Sequence, residues 1–344
     1  MKPLQMPMFS PETEWVPPLS LPDLKEYSEI AIDLETRDPN LMTMGSGAIR
    51  GDGEVVGIAV AVEGWKGYFP IAHEAGGNMD RALVLDWFEE VLHTPATKIF
   101  HNAMYDVSWI RSLGFQINGG IIDTMIASSL VDENRWSFTL DSMSKQYVGM
   151  GKNEKTLAEA AKAWGVNPKA EMWRLPAPLV GEYAERDAEV TLKLWHAMKH
   201  ELTQQELWDV FNLETNLFPC LVDMKFKGVR VDLDQAEILK KDLNKQEKII
   251  HQKIEKLSGF PIEIYAATSI AKAFDKLKMP YDRTDKGAPS FTKNFLATHP
   301  HELPKLINEA REVNKASSTF IDTILKHAHK GRIHSDINQI RSDD

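Results

Sequence analysis

Three short motifs contain the side chains of this sequence that are best suited to chemistry. Asp33 and Glu35 belong to the first (DLE), Asp106 ends the second (HNAMYD), and Tyr183 and Asp187 begin and end the third (YAERD). Carboxylate oxygens are the ligands that Mg²⁺ and Mn²⁺ prefer in proteins. Four of them with one tyrosine indicate a site that holds two divalent cations against a phosphodiester.

The first motif lies at the end of a predicted strand. The run 29–33 is short, apolar and ends in an acid, which predicts a buried strand, and 54–62 predicts another. Alternate side chains of a strand point to the same side, so Asp33 and Glu35 are expected to share one face. The glycine-rich segment 39–53 between the two strands is predicted to be a long, mobile loop.

The other two motifs fall on predicted helices. A helix is expected over 103–113 with Asp106 near its start, and a longer one over 179–201. Tyr183 and Asp187 are four residues apart and therefore share a face of that helix. The alternation of strands and helices over this part of the chain predicts an α/β layered domain.

Clustered carboxylates give a second reason to expect cations. Burying four of them together costs several kcal/mol unless positive charge compensates. Two ions about 3.5–4 Å apart could bind a scissile phosphate from both sides. One ion would lower the pKa of an attacking water, and the other would stabilise the departing 3′ oxygen.

Charge is unevenly distributed along the 344 residues, whose net charge is −10. Residues 221–344 contain 22 lysines and arginines against 18 acids, which leaves a strongly acidic segment 1–220. An acidic half that could hold metals is thus joined to a mildly basic half that could lie along phosphates. Two solvated surfaces of different composition would explain the same charges.

Composition sets limits on location. The only cysteine, Cys220, excludes an internal disulfide and a cysteine-based zinc site, which is typical of a reducing cytoplasm. No run of 18 apolar residues is present, so neither a membrane-spanning helix nor a membrane partner is expected. Residues 1–21 contain five prolines, and residues 1–26 are predicted to be an extended lead-in.

The last third of the chain has a different character. Residues 228–232 predict a short extended element, and 233–257 predict a lysine-rich helix. Further helices are expected over 270–278 and 303–327, so this part of the chain is predicted to be mostly helical.

These segments match a known family in order. The three motifs resemble the Exo I, Exo II and Exo III motifs of the DEDD 3′–5′ exonucleases, in the subgroup with a tyrosine in the third motif. The later segments resemble family A DNA polymerases, of phage type. Gly228–Asp232 resembles the segment that follows the exonuclease domain, and Lys286–Phe291 resembles part of the thumb region. The run that leads from the thumb toward the palm is resembled by Ser318–Ile321, Gly331–His334 and Asn338–Gln339.

The resemblance implies a fold and a domain plan. After the lead-in 1–26, it implies a ribonuclease H-like 3′–5′ exonuclease domain at 27–202, of the α/β class. A mostly helical thumb-like region, part of an incomplete polymerase domain, is implied at 203–344. Palm and fingers would follow residue 344 in the family, so no polymerase active site is expected in this chain.

The resemblance also implies which residues hold the two Mg²⁺ or Mn²⁺ ions. Asp33 would contact both ions, Glu35 and Asp187 would hold the ion with the attacking water, and Asp106 would serve the other. Tyr183 would orient the water by a hydrogen bond.

Two substrate contacts are implied by the same motifs. Asn102 would touch the terminal nucleotide, and Thr36 would lie beside the 3′ end. The expected substrates are single-stranded or frayed 3′ ends of DNA, with primer–template duplex bound through the thumb. The expected location is the cytoplasm, that of a bacterial host if the chain is viral.

Two alternative functions remain open at this point. A ribonuclease D-like enzyme that trims RNA would have the same three motifs, although the segments after Gly228 favour a polymerase. A non-catalytic DNA-binding subunit that docks a separate palm and fingers chain is the other, although the intact carboxylates argue against it.

Overall fold

The computed structural model describes residue 7, residues 11–151 and residues 155–340. Within these ranges the chain divides into two compact units, one that runs up to Lys227 and resumes at Ser335, and one that comprises Gly228–His334. The segment 152–154, in the middle of the first unit, lies outside the described residues, as do the last four residues, which include position 341 of the predicted thumb.

The first unit is built on a five-stranded sheet with helices. Its strands are β1 (Glu29–Arg37), β2 (Glu54–Val62), β3 (Trp65–Pro70), β4 (Thr97–Phe100) and β5 (Ile121–Asp123). Its α-helices are α1 (Leu41–Met44), α2 (Gly47–Arg50), α3 (Arg81–His93), α4 (Ala103–Ser112), α5 (Thr124–Val131), α6 (Leu140–Tyr147), α7 (Lys155–Trp164), α8 (Gly181–Gln204) and α9 (Trp208–Lys227). Two 3₁₀ turns are Met172–Arg174 and Ala177–Leu179.

The strand order is β3-β2-β1-β4-β5. The pairs β3–β2 and β2–β1 are antiparallel, whereas β1–β4 and β4–β5 are parallel, so β1 is the central strand. This mixed α/β sheet agrees with the predicted ribonuclease H-like class. The strand expected at 54–62 is confirmed at its full length.

Two apolar cores cover the two faces of the sheet. Ile30, Ile32 and Leu34 of β1 pack into the core that contains α3 and α4, whereas Ala31 packs into the core that contains α8. Strand alternation therefore directs Asp33 and Glu35 toward the α8 side. The sequence prediction that these carboxylates share a face agrees with this placement.

The segment predicted as a mobile loop contains helices α1 and α2. Asp38 fixes it, because Oδ2 of its carboxylate accepts the Gly47 N–H at 2.8 Å. Arg50 adds an ion pair of 2.7 Å with Asp52. Paired charges and a backbone hydrogen bond thus order a stretch whose glycine content alone favoured mobility.

The second unit is mostly helical, as predicted. Its helices are α10 (Leu233–Ser258), α11 (Ala267–Lys276), α12 (Lys293–Thr298), α13 (Glu302–Asn314) and α14 (Asp322–His327), with a π-helical stretch at Lys315–Ile321. Its two-residue strands are β6 (Val229–Arg230), β7 (Asp282–Arg283), β8 (Pro289–Ser290) and β9 (Arg332–Ile333). Helices α10, α11 and α13 enclose an apolar core around Ile254 and Phe274.

The boundary between the units differs from the expected position at 202/203. Helix α9 belongs to the first unit because Phe211 and Phe218 are buried in its two cores. The chain therefore leaves the first compact unit after Lys227 and returns to it at Ser335. The functional bounds of 27–202 and 203–344 stay a prediction. No helix within the described ranges combines the length and the apolar character that crossing a membrane requires.

Candidate active site

Strand β1 presents the first pair of carboxylates beside small residues. Asp33 lies opposite Ala59 of β2, and Glu35 lies opposite Gly57. Small partners leave space above this stretch of the sheet. Glu35 is 8% exposed, so its carboxylate lies mostly out of solvent.

Tyr68 of β3 fills part of that space, and sequence analysis did not single it out. A Cβ at Gly57 would lie 2.0 Å from the Tyr68 hydroxyl, so the strand needs glycine there. The hydroxyl contacts Nε2 of His73 at 2.7 Å, and Nδ1 of His73 contacts the Leu175 carbonyl at 2.9 Å. Nδ1–H must donate to that carbonyl, which leaves Nε2 to accept the tyrosine proton. Burial, followed by the charges of the β1 carboxylates, raises the pKa of Tyr68.

Asp106 reaches β1 from the first turn of α4. Its Oδ1 accepts the backbone N–H of Leu34, between Asp33 and Glu35, at 2.9 Å. Asp106 is 4% exposed. Burial and then the negative charge of Asp33 raise the pKa of Asp106, although the Leu34 hydrogen bond opposes them. This repulsion is the electrostatic stress that a bound cation would relieve.

Tyr183 and Asp187 lie in the first two turns of α8 and face each other along it. The Tyr183 hydroxyl donates a hydrogen bond to Asp187, which is 2% exposed. Burial raises the pKa of Tyr183, and the charges of Asp187, Glu35 and Asp33 raise it further in that order. The structure thus brings the third motif to the two carboxylates of the first.

Asp123 fixes the start of α4, where Asn102 is the N-cap residue and Ala103 is the first helical residue. Asn102 adopts a left-handed backbone conformation with φ 66°, which asparagine tolerates better than most residues. The two carboxylate oxygens of Asp123 accept the N–H groups of Asn102 at 2.9 Å and Ala103 at 2.8 Å. The same carboxylate also accepts the Met125 N–H at 2.8 Å, so it caps α4 and α5 together. The sequence indicates only the second cap, because Asp123 directly precedes α5.

Thr36 is held by a neighbour of Asp106. Its hydroxyl and that of Tyr105 are 2.5 Å apart. Burial raises the pKa of Tyr105 to about 12, so this phenol stays protonated at neutral pH. Contact of Thr36 or Asn102 with a substrate stays a prediction.

A cleft of about 580 Å³ opens beside the carboxylates. Asp33, Asn102 and Tyr183 line it together with Leu140 and Lys169. Glu35, Asp106 and Asp187 are buried next to these lining residues. A substrate in the cleft would thus meet one member of each motif first.

The donor chemistry of the site suits a hard divalent cation. Four carboxylates face one region, and burial followed by the charge of Asp33 raises the pKa of Asp106. Among the residues that the structure describes, however, no three histidine, cysteine or acidic side chains already form a metal-binding group. The number and the kind of ions therefore stay predictions.

Two family models match this chain. The one described as 3′–5′ exonuclease matches residues 20–203, which is more than half of the chain, and contains all seven predicted site residues. The one described as DNA polymerase family A matches residues 233–343.

Curated relatives and a solved structure extend these matches. A DNA-directed DNA polymerase of Pseudomonas phage M6 is 32% identical and covers 98% of this chain and 53% of its own. DNA polymerase DpoZ of Acinetobacter phage SH-Ab 15497 is 28% identical, and the match covers 94% of this chain and 53% of the relative. DNA polymerase I of Pseudomonas aeruginosa is also 28% identical, and the match covers 93% of this chain and 35% of the relative.

The chain thus spans about half the length, or less, of these relatives. The POL domain of Pol1 from M. smegmatis, solved in complex with DNA primer-template and dNTP, is similar in fold with a TM-score of 0.68 at 19% identity. That match covers 93% of this chain and 50% of the solved one.

Proposed function

The chain belongs to the 3′–5′ exonuclease family of the family A DNA polymerases, and we propose that it removes nucleotides from 3′ ends of DNA by two-metal hydrolysis. The observation that supports this most is the meeting of Asp33 and Glu35 of β1 with Tyr183 and Asp187 of α8 beside one cleft. The two pairs of residues are 148 or more positions apart in sequence, so chance placement of surface side chains is a poor explanation.

The metals would be held by the four carboxylates. Exonuclease domains of this family depend on metals in general. Asp33 would contact both ions, Glu35 and Asp187 one of them, and Asp106 the other. Bound Mg²⁺ or Mn²⁺ supplies Lewis acidity to the phosphate and lowers the pKa of a coordinated water.

Side chains of the protein do the remaining work. Tyr183, protonated because of its raised pKa, offers a hydroxyl that Asp187 orients. That hydroxyl would position the attacking water by hydrogen bonding. Asn102, exposed in the cleft, would contact the terminal nucleotide, and Thr36 would lie beside the 3′ end.

We further propose that the second unit binds DNA duplex. A solved relative of the same fold was determined with DNA primer-template. In this chain, Lys241, Lys245 and Lys248 are exposed on one side of α10. Such a row suits phosphate contacts that do not depend on base sequence.

One comparison tests this function against its two alternatives. Single-stranded DNA and RNA of equal sequence, each labelled at the 5′ end, are incubated with the protein in Mg²⁺, Mn²⁺ or EDTA. We expect stepwise shortening of the DNA in either metal and none in EDTA. Preferential shortening of RNA would favour the ribonuclease D-like enzyme. DNA binding without shortening in any metal would favour the non-catalytic subunit.

The expectation that this chain contains no site for nucleotide incorporation stays a prediction, as does a separate palm and fingers chain. A template-directed extension assay with an Asp33→Ala/Glu35→Ala protein tests it without interference from digestion. Incorporation of a nucleotide by that protein would contradict the prediction.

A further inference from the structure

We infer that Trp15 is a positioning residue that holds the start of α8, the part of the helix that presents Tyr183 and Asp187. Trp15 precedes the residues 20–203 that the exonuclease family model matches, and sequence analysis assigned it only to an extended lead-in. Its effect on hydrolysis rests on the proposed function, whereas its effect on the helix does not.

Trp15 joins α8 to the sheet through one acidic side chain. Its indole Nε1–H donates to Oε1 of Glu185 at 2.9 Å. The same oxygen accepts the backbone N–H of Tyr68 at 3.2 Å. The rings of Trp15 and Tyr68 are 6.0 Å apart between centroids. Glu185 lies midway between Tyr183 and Asp187, so this link acts on the turn that contains them.

The first residue of α8 is shaped to receive the indole ring. A Cβ added to Gly181 would lie 2.1 Å from Cε2 of Trp15, and its three nearest atoms all belong to that ring. Only glycine therefore allows the ring to approach the helix so closely.

The start of α8 is weakly capped, although Glu182 places a negative charge in its first turn. Val180 precedes Gly181 at the cap position, and no side chain caps the first turn. Glycine is also a poorer helix former than alanine. A turn with these two weaknesses frays unless tertiary packing holds it. Trp15 contributes its ring to that packing, together with Val180 and Ala184, which are fully buried in the same core.

The segment that contains Trp15 is itself anchored on the first unit. Pro18 approaches Gly67 of β3, with Cγ 3.1 Å from the position of a Cβ there. The Pro22 carbonyl accepts the indole N–H of Trp87 at 2.8 Å, and Leu24 is buried. These contacts hold the segment that contains Trp15 in place, so that the Trp15 ring packs against the start of α8.

Loosening this turn should affect the chemical step more than substrate binding. Tyr183 must be held within a fraction of an ångström to orient the attacking water, and Asp187 must be held equally well to bind the metal ion that carries this water. Trp15→Ala should therefore lower kcat at least about tenfold while KM changes less than about threefold. Trp15→Phe keeps a ring against Gly181 and should recover most of the rate.

A matched control is available at the other end of the same helix. Trp208 donates its indole N–H to Oγ1 of Thr203 in α8 at 3.0 Å. Trp208→Ala removes a comparable ring and hydrogen bond far from Gly181, so it should leave kcat near the wild-type value. Amide hydrogen exchange of the metal-free proteins gives a readout that does not require activity. Residues 181–190 should exchange faster in Trp15→Ala but not in Trp208→Ala.

A substitution from the helix side tests the same contact. Gly181→Ala should expel the Trp15 ring and lower kcat as Trp15→Ala does. In the Trp15→Ala protein no ring stands against position 181, so Gly181→Ala should not lower kcat further. The added methyl group should favour the helix and slow amide exchange in the first turn of α8.

The outcomes separate this inference from the proposed function. Unchanged amide exchange and unchanged kcat in Trp15→Ala would overturn the role of Trp15. The role would also be overturned if the Trp15→Ala/Gly181→Ala protein lost kcat by the product of the factors measured for the two single variants. If the wild-type protein digests no nucleic acid at all, the proposed function fails. The exchange measurements then still decide whether Trp15 holds α8.

Discussion

Asp106 accepts the backbone N–H of Leu34 at 2.9 Å, although 72 residues separate them in sequence. Strand β4, the parallel neighbour of β1, pairs with it only as far as Ala31, so the N–H of Leu34 lies beyond the last paired residue. The chain turns into α4 just after β4 and returns Asp106 to that open edge. One hydrogen bond therefore completes the sheet edge and places the second-motif carboxylate between the two of the first motif.

The first prediction concerns Asp33, the carboxylate that lines the cleft and raises the pKa of Asp106. Asp33→Ala should lower the rate of DNA digestion at least about 10³-fold, or about 4 kcal/mol in the activation barrier, because both ions lose a ligand. The melting temperature in EDTA should stay equal or rise, because a repelling charge is removed. Gel assays of a 5′-labelled oligonucleotide and thermal scans measure the two effects.

Asp86 provides the control for that change, since it is an exposed aspartate on α3. Asp86→Ala should leave both the rate and the melting temperature near the wild-type values. A folded Asp33→Ala protein that digests DNA at the wild-type rate would refute the two-metal proposal.

The second prediction concerns the hydroxyl of Tyr183. Tyr183→Phe removes one hydrogen bond to a charged group, worth ~1.5–3 kcal/mol, and should slow hydrolysis roughly 10–100-fold. The Mg²⁺ concentration for half-maximal rate should barely change, because the hydroxyl is not expected to bind the ion. Tyr27→Phe, outside the site, serves as the control in the same kinetic assay. Equal rates for the two variants would mean that the YAERD match is accidental.

The third prediction uses the close approach of Tyr68 to Gly57. Gly57→Ala would place a methyl group 2.0 Å from the tyrosine hydroxyl, and such overpacking costs about 1–3 kcal/mol. Because Tyr68 lies by Glu35, digestion should slow as well. Gly120→Ala is the matched control, since its nearest side-chain atoms are 3.5 Å away. Urea unfolding of the two variants gives the stability difference, and comparable midpoints would contradict the assigned packing.

Sequence patterns predicted what lies within single elements. Alternation along β1 placed Asp33 and Glu35 on one side, and helical spacing placed Tyr183 and Asp187 on one face. Neither pattern contains information on strand order or register, so the contact of Asp106 with Leu34 could not be predicted from it. The double cap by Asp123 depends on β4 and β5 being parallel neighbours, which also arises only in the folded sheet. Trp15 was missed because the prolines around it favour an extended segment whether or not the tryptophan packs against a helix.

The last prediction concerns acid unfolding and His73, which is buried behind the site against Tyr68. Burial lowers the pKa of His73 to about 4, against an ordinary value of 6.5. Between these values the unfolded chain binds a proton at this position that the folded chain excludes. Stability should therefore fall as pH decreases from about 6.5 to 4, by about 3 kcal/mol from this residue alone.

His73→Gln cannot titrate, and it should be less stable at pH 7 but should lose less of its remaining stability on acidification. Urea unfolding midpoints of both proteins at pH 7, 6, 5 and 4.5 in EDTA measure the two slopes. His93 is an exposed histidine at the end of α3, and His93→Gln serves as the control for the substitution itself. Parallel slopes for wild type and His73→Gln would show that His73 accepts its proton without cost in the folded state, and that the hydrogen-bonded pair with Tyr68 is not as buried as its contacts imply.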